Sequence, residues 1–167
     1  MATVILVGPP GAGKSTVGKA LAHARGCPFI DTDAVVEKSY GAAISDIFVD
    51  KGEDIFRELE FKALQESLQH NDAVLALGGG APISSQAQAI LKSEIDRVIF
   101  LDVSLSVAAP RVGFNRDRPL LLSNPRAQWQ ALAETRRPIY ESIAGHTIKV
   151  DDMSVEQIVE KIQELLT

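Results

Sequence analysis

The chain has 167 residues, close to one domain on a prior of roughly 150 residues per domain, and its 46% hydrophobic and 23% charged content is that of a packed globular chain. This excludes disordered and fibrous classes; no apolar run nears the roughly 20 residues that span a bilayer, and the single cysteine, Cys27, excludes disulfide scaffolds and zinc clusters. A net charge of −5 is the wrong sign for a protein that coats nucleic acid.

In chain order, apolar runs and helical stripes alternate. Thr3 to Val7 reads as a strand, followed by a glycine-rich loop from Gly8 to Ser15 and a helix to about Arg25 that Gly26 ends. Phe29 to Asp31 is a second short strand. Ala34 to Ser39 and Ile44 to Phe48 read as short helices separated by Gly41, and Glu53 to about Gln69 as a longer one with Phe56, Leu59, Ala63, Leu64 and Leu68 at helical spacing. Ala73 to Leu77 is uniformly apolar, as a buried parallel strand is, and runs into Gly78, Gly79 and Gly80. A helix and the strand Val98 to Leu101 follow, then a helix from Leu105 to about Val112 with Pro110 near its end. Asn124 and Pro125 read as an N-cap and first-turn proline of a helix to about Arg137. Thr147 to Val150 is a last strand, and Ser154 with Gln157 forms a capping box ahead of a final amphipathic helix. Strands interleaved with helices predict an α/β fold, a parallel sheet with helices on both faces, in one domain over residues 1–167.

The loop Gly8-Pro9-Pro10-Gly11-Ala12-Gly13-Lys14-Ser15 fits G-x-x-x-x-G-K-[ST] between a strand and a helix, the context in which that pattern cradles phosphates. Glycines let backbone N–H groups turn inward, and the helix start adds its positive dipole end. Gly11, Ala12, Gly13, Lys14, Ser15 and Thr16 are therefore nucleotide-binding candidates, Lys14 for the β and γ phosphates and the Ser15 hydroxyl for Mg²⁺, with ATP as the natural ligand. Such a loop alone does not name a reaction, because switches, motors and kinases share it. Asp31 and Asp33 are the nearby carboxylates. If Thr32 faces away, i and i+2 on a strand point both toward the loop, one to order a magnesium-bound water and the other to take a proton from an acceptor hydroxyl; Asp33 as a helix N-cap is the alternative. Six arginines and no lysine lie between Arg111 and Arg137, a window of net +4 in an otherwise acidic chain, and the guanidinium fork suits small carboxylates and phosphates. Trp129 and Tyr140 read as packing residues, Cys27 as a small buried apolar group, and His23, His70 and His146 carry no assigned chemistry.

Together, the phosphate loop, Asp31-Thr32-Asp33, Phe56-Arg57, Gly78-Gly79-Gly80, Arg118-Pro119-Leu120-Leu121 and Arg136-Arg137-Pro138-Ile139-Tyr140 resemble the shikimate kinase family in order and spacing, across nearly the whole chain. The resemblance implies a nucleoside-monophosphate-kinase-like P-loop fold with a substrate-binding segment at about 32–60 and a lid at about 112–124. It also implies transfer of the γ-phosphoryl of ATP to the 3-hydroxyl of shikimate. By position it puts Asp33 on the acceptor hydroxyls as candidate base, Asp31 near the magnesium, Arg57 and Arg136 on the carboxylate with the backbone of Gly79 and Gly80, Arg118 on the transferring phosphate and Arg111 against adenine. Expected partners are ATP and shikimate, with no nucleic acid and no membrane, for a cytoplasmic monomer. Two other functions fit the loop: a kinase of another hydroxylated acid such as gluconate, and a non-catalytic binding module on the same fold, against which Lys14, Asp33 and Arg118 together argue.

Overall fold

A computed structural model describes residues 3–112 and 124–167. Arg116, Arg118 and most of the expected lid lie outside the described residues. Five strands, β1 (Val4–Val7), β2 (Phe29–Asp31), β3 (Val74–Ala76), β4 (Val98–Asp102) and β5 (His146–Lys149), form one parallel sheet in the order β2-β3-β1-β4-β5. The helices are α1 (Lys14–Arg25), α2 (Thr32–Tyr40), α3 (Ile44–Ser67), α4 (Ser85–Ser93), α5 (Leu105–Val112), α6 (Pro125–Ile143) and α7 (Val155–Leu165).

Every residue of β1 is buried because the strand is central and covered twice. Val4 and Leu6 face a cluster with Val17 and Leu21 of α1 and Ile158 and Ile162 of α7. Ile5 and Val7 face the opposite cluster, with Leu64 of α3, Leu91 of α4 and Tyr140 and Ile143 of α6. A third, smaller cluster joins α2 to α3 through Val36, Ile47, Phe56 and Ala63. Leu6 is fully buried, so Leu6→Ala costs about 2–5 kcal/mol at the sheet's centre. Because β1 sits between β3 and β4 while the chain crosses from β1 to β2, the connections part at its carboxyl end. In open parallel sheets that parting opens the ligand crevice.

Several boundaries differ from the sequence reading, each for a local reason. The helix expected at Ala34 begins at Thr32, because Asp31 rather than Asp33 is its N-cap: Asp31 Oδ1 accepts from the backbone N–H of Asp33 at 2.9 Å and of Ala34 at 3.4 Å. Asp33 is thus on a first helical turn, not on a strand. The two helices expected at Ile44 and Glu53 abut as α3, interrupted only at Gly52, whose φ of 83° and ψ of 174° are non-helical and suit glycine. Helix α6 continues six residues beyond Arg137 through Pro138, since burying Tyr140 and Ile143 outweighs the backbone hydrogen bond that proline forfeits. Asn124 does occupy the N-cap position, but with φ 44° and without a side-chain capping hydrogen bond to the helix. Cys27 is half-buried, edging the α1 cluster instead of filling it. The capping box at Ser154 and Gln157 forms as expected.

Candidate active site

The phosphate loop leaves β1 at the crevice. Gly11 and Gly13 hold φ of 84° and 93°, left-handed values that other residues rarely take, and a Cβ on Gly11 would come within 2.9 Å of Val112. Gly13 is the N-cap of α1 and supplies no side-chain cap, so the first-turn N–H groups of the helix face the loop rather than a capping oxygen. Lys14 Nζ donates to the carbonyls of Gly8 at 2.7 Å and Pro9 at 3.0 Å, which lays the ammonium along the loop. Arg111, from the end of α5, donates to the Gly11 carbonyl at 3.2 Å. Ser15 Oγ donates to Asp31 Oδ2 at 3.1 Å. One carboxylate oxygen of Asp31 therefore fixes the start of α2 while the other meets the loop's hydroxyl. A hydroxyl and a carboxylate this close are hard oxygen donors of the kind Mg²⁺ takes alongside waters and phosphate oxygens. Among the described residues no cluster of three or more acidic, histidine or cysteine side chains could hold a metal by itself.

Beside the loop, the turn after β3 gathers the acceptor-side candidates. A Cβ on Gly78 would collide with the Asp33 carboxylate, one on Gly79 would lie 3.3 Å from Arg136 Nη1, and one on Gly80 would collide with the Arg57 guanidinium. Three successive glycines thus admit one charged side chain each, from α2, α6 and α3 respectively. The turn itself is pinned at both sides. Buried Thr32 accepts from the Gly78 N–H at 3.1 Å, and the Tyr140 hydroxyl, also buried, donates to the Gly79 carbonyl at 2.7 Å. Burial pushes the Tyr140 hydroxyl up to about 12 against the pull of the Arg136 guanidinium, so it remains a donor across the ordinary pH range.

Arg57 donates to Glu60 Oε1 at 2.8 Å, one turn along α3. Glu60 is only 3% exposed, and burial raises its carboxyl to about 6 although Arg57 draws it the other way. The neighbouring arginines of α6 separate by helical geometry. Arg136 faces the glycine turn, whereas Arg137 grips Asp102 with two hydrogen bonds of 2.8 and 2.7 Å, bonds Glu141 at 2.9 Å and lies over the Phe100 ring.

Two cavities meet at the glycine turn. One, about 410 Å³, is lined by the phosphate loop, Asp31, Asp33, Gly78, Gly79 and Arg111. The other, about 490 Å³, is lined by Arg57, Glu60, Gly80 and Arg136 with apolar walls from Phe61 and Leu132. A family model described as shikimate kinase matches residues 10–167. The shikimate kinase of Thermobifida fusca is 46% identical over 97% of this chain and 93% of its own. The chain belongs to the shikimate kinase family. A shikimate kinase from Acinetobacter baumannii, solved in complex with shikimate, superposes with a TM-score of 0.94 at 35% identity, covering 99% of this chain and 93% of that one. A gluconokinase from Sinorhizobium meliloti reaches a TM-score of only 0.61 at 23% identity, a likeness of fold alone.

For a shikimate kinase family member, the described candidates fall in two groups around one cleft. Gly11, Ala12, Gly13, Lys14, Ser15, Thr16, Arg111 and Asp31 line the loop cavity; Arg57, Gly80 and Arg136 line the second; Asp33 and Gly79 stand at the junction. Several residues with a part in this geometry were not singled out from the sequence. Glu60 is one of them, and its signal is the i, i+3 spacing from Arg57. Thr32 looked like a spacer between two aspartates. Met153, Val155 and Ile158 close the loop cavity from around the start of α7, where the sequence signalled a helix start and an apolar stripe but no ligand contact. Trp129 and Tyr140 are core residues as read, yet each also aims a polar atom at a site backbone: Trp129 Nε1 donates to the Pro10 carbonyl at 2.8 Å.

Proposed function

We propose that the chain transfers the γ-phosphoryl of ATP to the 3-hydroxyl of shikimate, giving ADP and shikimate 3-phosphate. The observation that carries this is the convergence of Asp33, Arg136 and Arg57 on three consecutive glycines beside the phosphate loop. The acceptor has one carboxylate and several hydroxyls; two guanidinium forks suit the first, and an aspartate with exposed glycine backbone suits the second.

In the proposed reaction the loop amides and Lys14 hold the β and γ phosphates, and Arg111 borders the adenine. Ser15 and Asp31 would hold magnesium, which neutralises charge on the β- and γ-phosphate oxygens. Arg57 and Arg136 fix the acceptor's ring through its carboxylate, Arg57 itself being held by Glu60. Asp33 aligns the attacking hydroxyl and takes its proton as the oxygen bonds to phosphorus and the bridging oxygen leaves with ADP. Arg118, from the lid segment, is assigned to the transferring phosphoryl by its position in the family pattern.

The test is ADP release with shikimate and gluconate run side by side at equal concentration. Turnover with shikimate and little with gluconate is expected. ADP release that does not depend on shikimate would sink the proposal.

A further inference from the structure

Helix α6 connects the two halves of the cleft. Trp129 and Tyr140 lie eleven residues apart on it, roughly 16 Å along the axis, and Arg136 falls between them. At one end the Trp129 indole N–H reaches Pro10 in the phosphate loop at 2.8 Å; at the other the Tyr140 hydroxyl reaches Gly79 at 2.7 Å. The two backbone segments so held also approach each other, since a Cβ on Gly79 would sit 3.3 Å from Pro10 Cδ as well as from Arg136 Nη1. Helix, phosphate loop and glycine turn therefore close a circuit of two hydrogen bonds and one close approach, so that a shift of Pro10 bears on α6 through Trp129 and on the turn beside Gly79. Trp129 is 3% exposed, so its N–H is a buried donor and the Pro10 carbonyl a partner that would be costly to abandon.

We infer that Trp129 is a positioning residue that couples the phosphate-donor site to the acceptor site. It does so by tying the Pro10 carbonyl to the helix that carries Arg136. The inference rests on the shikimate kinase reading of those two sites. A phosphate group ordering the loop from inside fixes Pro10, hence the near end of α6, hence the placement of Arg136 against the glycine turn. By linkage, an acceptor held by Arg136 tightens the loop by the same factor.

Trp129→Phe keeps an aromatic filler and removes the N–H. Shikimate affinity is measured by calorimetry with and without Mg-ADP, and ADP affinity with and without shikimate, on wild type and variant. The wild type is expected to bind each ligand more tightly in the presence of the other, and the variant to lose about three- to tenfold of that enhancement, the share of one buried hydrogen bond. A residue that only packs would lower the melting temperature and shift both affinities, leaving their ratio intact; an unchanged ratio overturns the inference. Trp129 is the sole tryptophan, so its emission reads the junction in the unmodified protein whether or not the variant folds. Shikimate alone is expected to shift that emission although its proposed pocket lies beyond the glycine turn, and an emission that responds to ADP only overturns the coupling. Intact ADP binding with no shikimate binding at all would instead overturn the acceptor assignment, and the inference with it.

Discussion

The two halves of the cleft are assembled by opposite means. The proposed donor side is one contiguous stretch, residues 8–16, that presents backbone from a glycine-shaped loop and the first turn of α1. The proposed acceptor side collects side chains from α2, α3 and α6, with Asp33 and Arg136 standing 103 residues apart, and holds them against a short glycine turn. A backbone cradle depends on a few conformations that glycine makes accessible and tolerates change in the residues between. A side-chain pocket depends on the helices being docked correctly, so its affinity is exposed to packing and to the charges behind each ligand-facing group. Substitutions on the donor side should therefore act on the rate, and those on the acceptor side on KM and stability.

The largest effect is expected at Lys14. Lys14→Ala removes the charge proposed to meet the donor in the transition state, and kcat should fall about a hundred- to a thousandfold, equivalent to about 3–4 kcal/mol, with little change in melting temperature. Steady-state ADP release under saturating shikimate measures it, and a near-normal kcat would break the distinction at its strongest point. Arg136→Lys is the acceptor-side counterpart. A point charge cannot reproduce a planar fork, so KM for shikimate should rise about ten- to thirtyfold while kcat falls much less. Asp31→Asn then tests the group that belongs to both halves. Asparagine caps helices as well as aspartate does, so the fold should keep its stability within about 0.5 kcal/mol while half-maximal activity needs about tenfold more magnesium. A loss of stability with an unchanged magnesium requirement would show that Asp31 serves α2 alone.

The same contrast accounts for what could be read from the chain before folding. The phosphate loop was legible because every residue that defines it is adjacent to the next, and the strand-to-helix context is local too. The sheet was legible because strands covered on both faces are written as plain apolar runs such as Val4–Val7. The pairing of Asp33, Arg57 and Arg136 came from the ordered family pattern, since nothing in one sequence brings α2, α3 and α6 together. Boundaries failed where a tertiary or capping interaction overrode local preference: Asp31 capping α2 two residues early, and buried Tyr140 drawing α6 through Pro138. The polar errands of Trp129, Tyr140 and Thr32 were illegible for another reason. A buried donor or acceptor has no sequence mark until its partner carbonyl or amide, sixty or more residues away for Tyr140 and Trp129, is in place.

Tyr140→Phe separates support of the pocket from occupation of it. The variant keeps the ring against Phe100 and leaves the Gly79 carbonyl without this donor, so stability should drop by about 1–2 kcal/mol in urea unfolding, with a rise of a few-fold in KM for shikimate and kcat nearly unchanged. Equal losses in kcat and in kcat/KM would assign the hydroxyl to the transition state instead.

The last effect is confined to a pH window, and its sign discriminates. Glu60 has its carboxyl raised from the ordinary 4.5 to about 6, chiefly by burial, so between these values the folded chain binds a proton that the unfolded chain has already released. Its contribution to stability is therefore fully present below about pH 4.5 and is lost as pH rises through about 6, up to about 2 kcal/mol for a shift of this size. Glu60→Gln cannot titrate. Measured by urea unfolding from pH 4.5 to about 8, wild type should lose stability relative to the variant as pH rises through about 6 and run parallel to it beyond. The opposite slope, wild type gaining on the variant as pH rises, would mean that the ion pair with Arg57 outweighs the cost of burying the carboxylate. The acceptor pocket would then owe its shape to that charge pair more than to the packing of α3.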